Sequence, residues 1–242
     1  MIFLLGGYDL EMVVIKEILL EEGFVENEDL FDKGLTWGAK LSAYEEVLKQ
    51  FPNIPIYGIE LDEDITPPKN YHRIDHHNDF ADKEASIIQV LKLLKKEPTR
   101  EHLLIAHNDI GHIEAMECFG ATKEEIAKIR KRDRASQGVS EEEELNALEE
   151  LKRVEEKNGL YVLKTSFEHF SPLVDNFQKR PFLIYSQKSL IYYGEIDFLK
   201  KKYKEQIEKH QAYHGRGYFG FDSKYLTFVT PDRLVEEIYR NE

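Results

Sequence analysis

The sequence predicts an α/β fold, a parallel sheet covered by helices on both faces, followed by a smaller C-terminal α+β domain. Three observations carry that expectation. Apolar runs of strand length ("IFLLGG", "IPIYGIEL", "HLLIAH") alternate with amphipathic helical segments in the first 120 residues, the pattern of a sheet buried on both sides. Acidic and imidazole side chains recur directly after these runs. Beyond residue 120 the texture changes to charged helices and then to short strands. A chain of 242 residues suits one large domain or two small ones.

The start, "MIFLLGGYDL", meets Asp9 after a few apolar residues and carries no basic segment, so it reads as a first strand and not as a signal peptide. "LEMVVIKEILLEEG" places apolar residues at 12, 15, 18 and 19 and stops at Gly23, which predicts a helix. "GAKLSAYEEVLKQF" predicts a second helix, ending before Pro52. "IPIYGIEL" is expected as the second strand, "DEDITPPK" as a turn, and "YHRI" as a third strand leading into Asp75. "EASIIQVLKLLKK" is amphipathic helix, and "HLLIAH" is expected as a fourth strand running into Asn108-Asp109.

Thr122 with Glu125, and Ser140 with Glu143, fit the capping-box pattern. They open helices predicted at 123–134 and 141–157, the second closed by Gly159. "LYVLKT", "PFLIYS" and "SLIYYG" predict strands, then a helix at 196–211, a glycine-aromatic loop "HGRGYFGF", and a last strand "YLTFVT". Thr230-Pro231 starts a terminal helix by the cap and first-turn rule. The expected organisation is an α/β metal-binding domain over 1–135, a helical linker over 136–158, and a small α+β substrate-binding domain over 159–242.

The formal net charge is −13. Such a surface repels long nucleic acid unless a basic groove or a bound metal reverses the field. A single cysteine, Cys118, excludes an intrachain disulfide, which points to a reducing, cytoplasmic setting; Cys118 itself is expected to be buried and inert. No segment approaches membrane-span length.

Sites in open parallel sheets form outside the carboxyl ends of the strands. The side chains expected there are Asp9 and Glu11, then Asp62 with Glu63 and Asp64, then Asp75, His76 and His77, and finally Asp109. Any one carboxylate after a strand is ordinarily a helix cap, but four successive strand ends agree. Gathered carboxylates repel one another, and divalent cations remove that repulsion. Oxygen-rich ligands with imidazole and no thiolate suit manganese or magnesium, and several carboxylates suggest two ions arranged for in-line attack on phosphorus.

Asp75-His76-His77 at a strand end, followed by "EASIIQVL", resembles the signature motif of the DHH phosphoesterase family. "GGYDLEMV" resembles the first motif of its RecJ-type members, and "AHNDIGHI" is similar to the fourth. The resemblance covers residues 1–120. It implies a two-domain protein with one or two manganese ions in an interdomain cleft, hydrolysing phosphodiesters, phosphoanhydrides or short oligonucleotides. Asp9, Glu11, Asp62, His76 and Asp109 would then be metal ligands. Asp75 and His77 would be catalytic, with His77 facing the substrate phosphate. The chain departs from the pattern at Gly7, where an acidic ligand is expected, at Glu11 in place of aspartate, and at Met12 in place of glycine. The resemblance therefore leaves open a non-catalytic member that binds a phosphorylated ligand or partner, and it leaves open whether the chain oligomerises. His107 and His112 are the residues that would complete a weakened site.

Four further residues are candidate substrate contacts. Arg130 and Arg134 lie one helical turn apart in the basic stretch "KIRKRDRASQG", where guanidinium forks suit phosphate. The alternative is a solvated face paired to Asp133. His214 and Arg216 sit in the glycine-aromatic segment, whose alternative is a turn packed on the small domain's core.

Overall fold

The computed structural model describes residues 1–36, 38–209, 211–215, 217–222 and 229–240. The chain divides into two compact units, Met1–Gly138 and Val139–Glu242.

The first unit holds a four-stranded, all-parallel sheet built from β1 (Ile2–Leu5), β2 (Leu30–Asp32), β3 (Ile56–Ile59) and β4 (Tyr71–Ile74), in the order β2-β1-β3-β4. Side chains alternate across it. Phe3 and Leu5 enter one core, with α1 (Leu10–Glu21), α3 (Ser86–Leu93), α4 (Arg100–Phe119) and α5 (Lys123–Ser136). Ile2 and Leu4 enter the other, under the 3-10 turn Leu41–Tyr44 and α2 (Glu45–Gln50). That period of two is what a sheet covered on both faces requires. Leu5 pairs with Ile59, and Ile59 with Ile74, so the carboxyl ends of β1, β3 and β4 finish level.

Three elements of this unit differ from the sequence expectation. "HLLIAH" is not a strand but the first turns of α4, opened by a capping box between Thr99 and His102. Short apolar runs are ambiguous between buried helix and strand, and the cap decides here. The sheet instead gains β2 at its edge, from "LFD", too short to register as an apolar run. The predicted helix over "GAKLSAYEEVLKQF" begins only at Leu41 as a 3-10 turn and becomes α-helical at Glu45. Cys118 is exposed, not buried, although Met116 two residues earlier on α4 is in the core.

The second unit pairs a mixed six-stranded sheet with helices on both faces. It comprises α6 (Glu141–Leu151), β5 (Glu155–Lys157), β6 (Leu160–Lys164), α7 (Ser171–Asp175), β7 (Phe182–Tyr185), β8 (Ser189–Tyr193), α8 (Asp197–Lys202), α9 (Lys204–Glu208), β9 (Ala212–Gly215), β10 (Tyr218–Asp222) and α10 (Pro231–Tyr239). The strand order is β5-β6-β7-β8-β10-β9, parallel only between β6 and β7. One face packs Leu183, Tyr192 and Phe219 against Leu199, Leu234 and Ile238; the other packs Leu163, Phe182 and Ile184 against Ala147 and Leu173. Residues 141–151 of the expected linker therefore pack into this unit's core through Ala147. The helix ends at Leu151 and not at 157, where β5 has taken over. The predicted helix over 196–211 is divided into α8 and α9. The expected strand "YLTFVT" lies, except for its last two residues, outside the described residues, as does Arg216. Among the described residues no helix is long and apolar enough to cross a membrane.

Candidate metal centre

Four buried side-chain atoms with no hydrogen-bond partner converge at the carboxyl edge of the parallel sheet: Glu11 Oε2, Glu60 Oε1, His76 Nε2 and Asp109 Oδ2. His76 Nε2 lies 2.6 Å from Asp109 Oδ2, 3.5 Å from Glu11 Oε2 and 3.6 Å from Glu60 Oε1. The nearest pair is an ion-pair contact without the alignment of a hydrogen bond. His77 completes the group, with Nε2 3.6 Å from Asp109 Oδ2 and Nδ1 3.9 Å from Glu60 Oε1. Glu60, His76, His77 and Asp109 each offer one ligand atom within 4.8 Å of the others.

Each side chain is delivered by a distinct local device. Asp9 caps α1, accepting from Met12 N at 2.9 Å, and Glu11 follows in the first turn. Glu11 Oε1 accepts from Ile87 N at 3.0 Å, in the first turn of α3, which leaves Oε2 for the cluster. Glu60 follows β3 with φ 52°, a left-handed conformation that side chains other than glycine, Asn and Asp rarely adopt and that tends to persist at functional sites. The chain leaving β1 passes against this bend. A Cβ on Gly6 would stand 2.3 Å from the Glu60 carbonyl oxygen, so only glycine fits.

His76 and His77 divide inward and outward. The His76 side chain is 5% exposed and the His77 side chain 35%. Asp75 fixes His77 by accepting from its backbone N at 2.9 Å, with Nδ1 at 3.3 Å. Arg73 Nε donates to the other Asp75 oxygen at 3.0 Å, and Gln89 donates to the Asp75 carbonyl. Asp109 sits on α4 two residues before the helix breaks at Gly111 and His112.

The electrostatics set this group apart. Burial, then the Asp109 charge, pushes the Asp9 carboxyl up to about 6. Burial and neighbouring carboxylates hold Glu11 and Glu60 well above the usual 4.5. Burial acts to lower His76, but the Asp109 carboxylate outweighs it and raises the imidazole. The contact with Asp75 raises His77. Burial acts to raise Asp75, yet the bonds from His77 and the Arg73 charge prevail and hold it at about 2. Unpartnered, mutually repelling carboxylates around an imidazole fit a divalent cation, which would offset that repulsion. The donor set is oxygen-rich with imidazole and without thiolate, suited to manganese or magnesium.

The structure brings Glu11, His76, His77 and Asp109 together, with Asp75 and Asp9 beside them. It does not bring Asp62, whose side chain is exposed and whose backbone pairs with the 39–41 segment. Glu60 takes the place expected for it. The signal in the sequence was Glu60's position as the first carboxylate after the buried Ile59, inside what reads as a longer strand. Glu60 Oε2 also comes within 3.9 Å of where a Cβ on Gly7 would project, so it stands near the ligand that Gly7 cannot supply.

His107 stacks on Phe119 with ring centroids 4.4 Å apart. Arg130 and Arg134 are not solvated; they are 6% and 7% exposed. His214 is exposed on β9, in the second unit, beside Phe219.

No protein-family model matches the chain, and no curated protein matches its sequence. Solved structures similar to it include a pGpG-specific phosphodiesterase, PggH, from Vibrio cholerae (TM-score 0.49, 11% identity, covering 100% of both chains). RecJ in complex with Mn2+ from Thermus thermophilus gives a TM-score of 0.47 at 12% identity, over 99% of this chain and 52% of that one. An exonuclease RecJ bound to manganese gives 0.46 at 12% identity, over 99% and 90%. At such scores the functional reading rests on the site itself. What the structure shows by itself is a parallel sheet flanked by helices, with a Glu/His/His/Asp cluster able to coordinate a divalent metal ion.

Proposed function

We propose that this chain is a manganese-dependent phosphoesterase that hydrolyses a small phosphodiester, a phosphoanhydride or a short oligonucleotide. The observation that carries the reading is the convergence of unpartnered Glu11, Glu60, His76 and Asp109 atoms at the end of β4, where Asp75-His76-His77 stands. One or two divalent ions held there would supply a water of lowered pKa and charge to offset the phosphoryl oxygens.

The chain's own residues do the rest. His76, inward and buried, is a ligand through Nε2. Asp75 stays anionic and raises and orients the half-exposed His77, which faces outward to donate to a phosphoryl or leaving oxygen. Arg73 keeps Asp75 in place. Asp9, pushed up to about 6, is a ligand for a second, weaker ion. Arg134, His214 and Arg216 are proposed substrate contacts. The net charge of −13 favours a small substrate over long nucleic acid, in a cytoplasmic setting.

A second reading, a non-catalytic protein that binds a phosphorylated ligand, is favoured by Gly7, which offers no carboxylate. The test is a panel of phosphodiesters, dinucleotides, pyrophosphate and mononucleotides with manganese. Hydrolysis that His77→Ala abolishes, with metal content retained, supports the enzyme. Metal and ligand binding with no turnover of any compound supports the second reading.

A further inference from the structure

The break in α4 is an unusual place for a ligand-bearing helix. Asp109 lies just before Gly111 (φ −165°, ψ 27°) and His112 (φ 53°, ψ −138°). A non-glycine residue in the left-handed half of the map persists only where its surroundings over-determine it. What over-determines it comes from α5. Arg130 Nη1 donates to Asn108 Oδ1 at 2.9 Å and lies 3.2 Å from His112 Nδ1, so one guanidinium nitrogen contacts both the residue before Asp109 and the break itself.

The same nitrogen donates to Asp133 Oδ2 at 2.6 Å. Asp133 Oδ1 accepts from Gln137 Nε2 at 2.9 Å and, at 3.4 Å, from Leu10 N. Leu10 is the first residue of α1 and stands between Asp9 and Glu11. Arg130, Asp133 and Asn108 are all at least 94% buried. Through one ion pair, then, α5 holds the residue beside Asp109 and the residue between Asp9 and Glu11.

A buried ion pair is a poor device for stability alone, because desolvation offsets its attraction. Its placement gives it another use. We infer that the Arg130–Asp133 pair is a positioning device for the metal centre, which fixes the helix end bearing Asp109 in register with the helix end bearing Asp9 and Glu11. This rests on the metal-site reading above, and it moves Arg130 from substrate contact to support of the ligands.

The test is manganese titration of the chelator-stripped full chain by calorimetry, with the Mn2+ electron paramagnetic resonance spectrum and the metal-free melting temperature as companions. Arg130→Met with Asp133→Leu replaces the pair by apolar side chains, an exchange that is often neutral or stabilising. It should leave the metal-free melt near the wild type and weaken manganese binding by ~10–100-fold, the loss typical of a residue supporting a ligand. Its spectrum should also change. Arg130→Lys keeps the charge, but its ammonium ends one bond short of the Nη1 position and so cannot reach Asn108, His112 and Asp133 together; it should lose about tenfold, and it decides the matter if the double variant does not fold. Wild-type affinity and spectrum in the folded Arg130→Lys variant would overturn the inference, as would a fall in melting temperature with affinity unchanged. If the wild type itself binds no manganese, the metal reading falls first and this inference falls with it.

Discussion

Glu60 and Glu237 are both glutamates with side chains less than a tenth exposed, one in each unit, and they are treated in opposite ways. Glu237 on α10 accepts from Tyr203 Oη at 2.6 Å and from Arg233 Nε at 3.1 Å, with Lys202 Nζ at 2.7 Å. Burial acts to raise its pKa, but these partners outweigh it and pull it below the usual value. Glu60 has an oxygen with no partner, faces Glu11 and Asp109, and is held far above the usual value. Burial of charge is common to both, so burial does not mark a site. What marks it is burial left uncompensated by the chain, because such a group is kept only if something else completes it.

The largest effect that tests this contrast is loss of the central imidazole. His76→Ala should weaken manganese binding by more than the ~10–100-fold that losing a supporting residue brings, and activity should fall with it. Glu237→Ala should do the reverse. It leaves Tyr203 and two cations without their acceptor and should destabilise by about 1–3 kcal/mol, with manganese affinity unchanged. Elemental analysis and chemical denaturation of both variants decide it. A His76→Ala chain that retains its metal would break the comparison.

Metal removal should make the two units respond to pH with opposite signs. In the metal-free chain, Asp9, Glu11 and Glu60 have raised folded pKa values, so the folded state binds more protons than the unfolded one. Stability from this group is present at low pH and is lost as pH rises from about 4 through 6 and beyond. Glu143 and Glu237 have depressed values, so their contribution is present above the ordinary 4.5 and is lost as pH falls through the folded values. Hydrogen exchange of the stripped protein between pH 4.5 and 7.5 should show the sheet edge around β3 and β4 loosening with rising pH, while the region around α6 and α10 does not. Saturating manganese should abolish the first trend. A stripped protein whose sheet edge tightens as pH rises would contradict the assignment.

A smaller effect sharpens the same point at one residue. Glu60→Gln removes a repelling charge and keeps the shape, so the metal-free melting temperature should rise, by ~2–4 °C for each kcal/mol relieved. Manganese affinity should drop in the same variant. A gain in stability coupled to a loss of binding is the signature of a side chain held against its own preference.

Much of this was legible in the residues. Buried strands at 2–5 and 56–59, the strand before Asp75, and both charged caps at Thr122 and Ser140 follow from apolar runs and turn chemistry. Glu11 after β1 and His76 after β4 were legible as side chains gathered at the sheet's carboxyl edge, whereas Asp109, expected to close a strand, arrives on α4. Two things were not. "HLLIAH" carries the same letters whether it is strand or helix, and only the cap at Thr99 breaks the tie. The buried state of Arg130 depends on a helix break that Gly111 and His112 make 18 or more residues away in sequence, and no local pattern encodes that meeting.

The smallest effect concerns the ligand register itself. The sequence offers Glu60, Asp62, Glu63 and Asp64 within five residues after β3, and in an extended chain 60 and 62 would point the same way. The left-handed turn at Glu60 cancels that equivalence. By Asp62 the backbone has moved on to hydrogen-bond with Ala39 and Leu41, and the Asp62 side chain meets solvent. Asp62→Ala should therefore change stability by no more than about 0.5 kcal/mol, as at an ordinary surface position, and leave manganese affinity and turnover at wild-type levels. Glu60→Ala, two residues earlier, should lose metal. The pair is best measured side by side by calorimetry and denaturation. If Asp62→Ala lost metal and Glu60→Ala kept it, the turn at the end of β3 would be wrongly placed, and the carboxylate facing His76 would have to come from two residues further on.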